Sequence, residues 1–194
     1  MMSGVGDFGV ERPRRAPGPV RFTTADVFKM IETGVLRDDD KVELIYGELV
    51  AMNAKKNDHE LVKNLLIAHL ARSARRELFL AAESTLYLRD DLFVEPDLML
   101  YARGLLPEDV RGRDVALLIE VAEESLRRDL TEKAEICARH GVAEYWVIDA
   151  VRRRTTVHLR PTEGRYEDVR AWGPNDTLTP MNAPEAAVRL ADLD

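Results

Sequence analysis

One stretch limits what this chain can become. From Val115 to Ile119 the residues Val-Ala-Leu-Leu-Ile form a nearly continuous apolar run that ends on Glu120, after which the sequence turns abruptly polar. A run apolar on both of its alternating faces reads as a strand covered on both sides, so layers are required above and below it. It is far shorter than the ~20 residues of a membrane span. Its last member poses the chemical question. A carboxylate buried without a partner costs several kcal/mol, so Glu120 must be paired, protonated or bound to a metal.

The flanking sequence supplies the layers. Residues 23–34, Thr-Thr-Ala-Asp-Val-Phe-Lys-Met-Ile-Glu-Thr-Gly, read as a short helix capped by Thr23 or Thr24 and closed by Gly34. Two strand pieces around Tyr46-Gly47 read as a hairpin or a bulged bend. A long helix is expected from Asn57 or Asp58 toward Phe79, with Leu61, Leu65 and Ala68 on one face. Three strands follow, in 81–89, 93–102 and 114–122. Asp129 with Glu132 three residues on resembles a capping box, predicting a helix that starts at Asp129 and stops at Gly141. Strands are then expected in 143–150, 155–161 and 165–173, and the tail from Ala183 fits either a terminal helix or a docked coil. The order of elements predicts one α/β domain over residues 21–194, preceded by a Gly-, Pro- and Arg-rich leader over residues 1–20.

Composition bounds the function. With 45% hydrophobic and 32% charged residues the chain is an ordinary globular one. A lone Cys137 excludes an intrachain disulfide, and no apolar segment has signal-peptide or membrane-span length, so a cytoplasmic location is the expectation. The net charge of -7 argues against a generic nucleic-acid binder, although Arg72, Arg75 and Arg76, Arg111 and Arg113, Arg127 and Arg128, and Arg152 to Arg154 form local basic clusters. Each cluster also fits plain solvated surface.

Asp97 and Glu120 are the leading candidates for chemistry. Asp97 follows Pro96 at the head of one strand and Glu120 closes the next, so pairing of the two strands would bring the carboxylates to a common edge. Two hard oxygen ligands suit Mg²⁺ or Mn²⁺; the alternative is that each simply ends a strand. Lys133 falls beside the apolar stripe of the following helix, near its positive end, where an ammonium needs an anion or must reach out to solvent. His59 opens the long helix and either lines a cleft or sits at the surface as a cap. Tyr145 and Trp146 fit strand packing better than a base-stacking platform.

These residues also carry a resemblance. Pro96-Asp97, Glu120-Val-Ala122, the earlier Val-Glu-Leu-Ile-Tyr-Gly around Glu43, and the pattern DxxxKxxxYaxxGvxeYWvvD are similar to the Uma-type endonuclease family. That pattern is matched by Asp129, Lys133, Gly141, Glu144, Tyr145, Trp146 and Asp149, with Cys137 replacing the usual aromatic. The resemblance, over about residues 21–172, implies a restriction-endonuclease-like PD-(D/E)XK fold, a mixed β-sheet core flanked by helices. It implies further that Asp97 and Glu120 bind a divalent metal, that Glu43 completes or orients the site, and that a lysine activates water for phosphodiester hydrolysis. DNA is the implied substrate, and homodimerisation is plausible for a nuclease addressing two strands. One departure stands out: the superfamily lysine two residues after the glutamate is Ala122 here, which makes Lys133 the replacement. The competing reading is a silent binding or assembly module that keeps the fold without the cut.

Overall fold

The computed structural model describes residues 18–37, 39–52 and 54–193, so the expected leader over residues 1–20 lies almost wholly outside the described residues. In chain order the elements are α1 (Thr24–Glu32), β1 (Val42–Ile45), β2 (Glu48–Ala51), α2 (Asn57–Ser73), β3 (Leu78–Ala82), β4 (Leu86–Arg89), β5 (Leu92–Val94), β6 (Leu98–Ala102) and β7 (Val115–Ala122). A helical stretch follows as α3 (Leu126–Arg128), a π turn (Asp129–Lys133) and α4 (Ala134–Arg139), and then β8 (Glu144–Asp149), β9 (Arg154–Thr162) and β10 (Arg165–Trp172). Six strands form one sheet in the order β10-β9-β8-β7-β6-β3, and four form a second in the order β2-β1-β5-β4.

The apolar run is the middle of the large sheet. β7 pairs antiparallel with β6 on one side and parallel with β8 on the other, making the sheet mixed. Its alternation sends Leu117, Ile119 and Val121 to one core, with Val62, Leu66 and Leu70 of α2, and Leu118 and Ala122 to another, with Ile136 and Cys137 of α4. Each such side chain, fully covered, contributes about 1.5–3 kcal/mol relative to exposure. A parallel neighbour needs a crossover, and α3 through α4 supply it on the second of these faces. Glu120 lies on that same face, beneath the crossover helix.

Several local readings are borne out in detail. Thr23 caps α1 in a capping box with Asp26, and Gly141, at φ 80°, ends α4. Tyr46 and Gly47 both take positive φ, 49° and 82°, giving the two-residue turn that suits a twisted hairpin. Others need correction. α2 ends at Ser73, and the residues read as its last turn begin β3 instead. Its buried face is His59, Val62, Lys63, Leu66 and Leu70, whereas Leu61 is exposed. The tail from Ala183 is the docked alternative and not a terminal helix: Ala183, Ala186, Val188 and Leu190 are buried in the core, with two short 3₁₀ turns, Pro184–Ala186 and Leu190–Asp192, anchored where Leu178 and Val188 exchange backbone hydrogen bonds.

The crossover helix starts three residues before the expected Asp129, and Asp129 is buried inside it rather than capping it. The five residues Asp129–Lys133 wind as a π turn, which widens the helix and sets its first and last members, both buried, on the sheet side. Tyr145 of β8 donates its hydroxyl to the Asp129 carbonyl at 3.0 Å. Burial raises the phenol pKa well above its ordinary value, so the hydroxyl remains a donor. Tyr145→Phe should therefore cost about 1 kcal/mol in urea unfolding by leaving that buried carbonyl unpaired; an unchanged midpoint would mean that the π turn does not need this support.

Candidate active site

Register brings the two expected carboxylates together. Leu98 pairs with Ile119 at the start of β6 and near the end of β7, so the preceding Asp97 lies across from Glu120. The Val121 N–H donates to Asp97 Oδ2 at 2.8 Å, which fixes the side chain at this edge. His59 Nε2 of α2 lies 3.1 Å from each Asp97 oxygen, and Lys55 Nζ, from the segment before α2, lies 2.9 Å from Oδ1. His59 is thus buried against Asp97 and is not a surface cap. Burial alone would raise the Asp97 pKa, but His59, Lys55 and the Val121 amide outweigh it and hold the carboxyl down at about 2.

Glu120 has the opposite environment. Lys133 Nζ stands 2.8 Å from Glu120 Oε1 and 2.8 Å from Glu43 Oε1, so one ammonium bridges β7 and β1. The Glu120 contact is an ion pair set off the hydrogen-bond direction, and Oε1 makes no hydrogen bond. Glu43, with no exposed surface, also accepts from Arg128 Nη2 at 2.8 Å and from the Glu95 N–H at 3.1 Å. Burial pushes the Glu120 carboxyl well above the usual carboxylate range, and Asp129, Asp97 and Glu43 add to the rise while Lys133 opposes it. For Lys133 burial acts against the charge, yet Glu120, Glu43 and Asp129 prevail and the ammonium titrates well above a free lysine. Burial and the neighbouring carboxylates push Glu120 up, and the same carboxylates push Lys133 up against its own burial, so each group is shifted toward its protonated form.

These groups line a cleft of about 260 Å³ in which six carboxylates face four lysine or arginine side chains, with His59 beside them. Among the described residues no group of three or more His, Cys, Asp or Glu side chains is arranged as a metal cage. A hard cation such as Mg²⁺ does not require one, because it binds through one or two carboxylates and keeps several waters. Asp97 and Glu120 fit that demand: their donors are oxygens, and the cleft has carboxylate to spare.

All five expected residues, Glu43, His59, Asp97, Glu120 and Lys133, meet at this cleft. Sequence reasoning missed Lys55, took Arg128 for surface charge and took Asp129 for a cap. The only available signal for Arg128 was its placement one turn before Lys133 on the same helix.

The architecture has a solved counterpart. It is similar to the crystal structure of a putative nuclease belonging to DUF820 from Anabaena variabilis ATCC 29413, with a TM-score of 0.66 and 15% identity, covering 89% of this chain and 97% of that one. Residues 25–191 match the family described as "Uma2: Putative restriction endonuclease", and the chain belongs to that family. No curated protein matches it. Among the described residues no helix is long and apolar enough to cross a membrane.

The ionic cluster predicts an asymmetry. Lys133→Met leaves Glu43 and Glu120 facing one another and should cost about 3 kcal/mol in denaturant unfolding. Glu120→Gln keeps the side chain's shape and removes an ionisation that burial already disfavours, so it should cost less than about 1 kcal/mol at neutral pH; equal costs for the two would contradict that asymmetry. Asp97 predicts an acid limb. Its folded pKa lies below the ordinary 3.8, so its ionised form stabilises the fold above about pH 4, and that contribution disappears as pH falls through about 2. The drop from 3.8 to about 2 corresponds to about 2.5 kcal/mol, which Asp97→Asn should remove from the stability profile between pH 4 and 2.

Proposed function

We propose that this chain is a divalent-metal-dependent endonuclease of the PD-(D/E)XK type that hydrolyses phosphodiester bonds in DNA. The observation that carries the reading is the convergence of Asp97 and Glu120 from paired strands into an open cleft with surplus carboxylate. Asp97 and Glu120 would hold Mg²⁺ or Mn²⁺, which when bound acidifies a water and neutralises charge on the phosphoryl oxygens. Water adds across one P–O ester bond, leaving a phosphomonoester on one product and a hydroxyl on the other.

The protein's own residues divide the remaining work. His59 and the Val121 amide orient Asp97 from opposite sides. Glu43 and Arg128 form the rigid backing that holds the Lys133 ammonium against Glu120. Because that ammonium keeps its proton, its role is to offset charge developing on the phosphate and to orient the nucleophile, not to abstract a proton. It takes the place of the superfamily lysine, whose position holds Ala122: the π turn of the crossover helix supports its reach to Glu120. On this reading the enzyme acts in the cytoplasm and pairs with a second copy to address both strands of a duplex.

Asp97→Ala separates this reading from a silent module of the same fold. The variant should keep the wild-type circular dichroism spectrum, lose Mn²⁺ affinity in calorimetric titration, and nick supercoiled plasmid roughly 100-fold more slowly or worse. Equal Mn²⁺ affinity and equal nicking in wild type and variant would favour the silent module.

A further inference from the structure

Lys133 acts from the buried side of the cleft, its side chain 5% exposed and held by two carboxylates. A different lysine faces the opening. Lys55, in the segment between β2 and α2, borders both the main cleft and an adjoining one of about 480 Å³, and its side chain is 23% exposed. Its ammonium is shared between two acids, 2.9 Å from Asp97 Oδ1 and 2.9 Å from Glu83 Oε1.

We infer that Lys55 is a second catalytic cation of this site: it holds Asp97 in the resting protein and turns to the substrate's phosphodiester when a divalent cation takes over that carboxylate. The inference rests on the nuclease reading above and adds to it the residue that meets the nucleic-acid backbone.

Three features support the exchange. First, Lys55 occupies an oxygen of the very carboxylate that the metal needs, and a dication attracts a carboxylate more strongly than an ammonium does at equal distance. Asp97 would not be left bare, because His59 and the Val121 amide stay on it. Second, Glu83 is a fixed anchor. It sits in the left-handed backbone region at φ 49°, which costs a non-glycine residue about 1–3 kcal/mol and persists only where the surroundings enforce it. Its N–H donates to the Asp97 carbonyl at 3.0 Å, and its carboxylate also binds the buried Lys63. Lys55 released from Asp97 is therefore still tethered at the cleft. Third, the adjacent Lys56 lines the same cleft, pairing with Glu124 and lying 3.9 Å from Glu123, so a second, half-exposed cation stands beside Lys55.

Full-length Lys55→Met and Lys55→Arg test this, with Mn²⁺ alone as one probe and a short labelled DNA duplex in Ca²⁺ over a salt series as the other. Lys55→Met should bind Mn²⁺ several-fold more tightly, because the competing ammonium is gone. Its plot of log affinity for the duplex against log salt should lose about one unit of slope. Nicking should fall roughly tenfold or more, with Lys55→Arg restoring the slope. Wild-type Mn²⁺ affinity, slope and nicking in Lys55→Met would overturn the Lys55 assignment and leave the nuclease reading standing. A wild-type protein that takes up no Mn²⁺ and binds no duplex would overturn both.

Discussion

A single ammonium joins the two sheets of this protein. Lys133 reaches from the crossover helix to Glu43 on the small sheet and to Glu120 on the large one, with no more than a few per cent of any of the three exposed. Paired buried charges of this kind add little net stability compared with well-packed apolar side chains, because desolvation consumes most of the attraction. What they add is position. Each carboxylate is confined to where the ammonium is, and the ammonium is confined by a helix that packs on the same core as the strands. The site is therefore an extension of the fold's own packing and not a set of groups placed on loops.

The same arrangement explains why two carboxyl groups a strand apart behave so differently. Asp97 faces Lys55, His59 and an amide donor, which hold its carboxyl low, whereas Glu120 is buried among other acids, which push its carboxyl up. Neighbouring groups pushed in opposite directions by their surroundings are a common mark of functional sites. Membership in the Uma2 family and the shared fold give that mark a chemical context, while the roles assigned to individual residues rest on the geometry of this cleft.

Much of this was legible in the residue order. The apolar run ending on Glu120 announced a central strand, and Asp97 at the head of its neighbour announced a shared edge, because strand pairing is a local rule that sequence periodicity obeys. The buried face of α2 was not legible. It carries His59 and Lys63, which a search for apolar periodicity counts against burial, so the reading settled on Leu61 and Leu65, and only tertiary partners reveal the choice. Asp129 was misread for a related reason: its spacing to Glu132 satisfies a capping rule, but the helix had begun earlier and wound wider. Lys55 left no trace in any pattern, since a loop lysine acquires meaning only from the carboxylates that folding brings to it.

The π turn has an implication for how such a chain can vary. A regular α-helix advances about 100° per residue, so the wide turn at Asp129–Lys133 absorbs residues that a regular helix would display elsewhere on its circumference. Deleting one residue there would let the segment rewind as a regular helix with the residues on either side keeping their faces, so Ile136 and Cys137 would stay in the core. The turn is thus the place in this helix where the chain can change length by one residue at least cost to the packing around it. A relative shorter by one residue here could close the same bridge from the lysine that ends the turn.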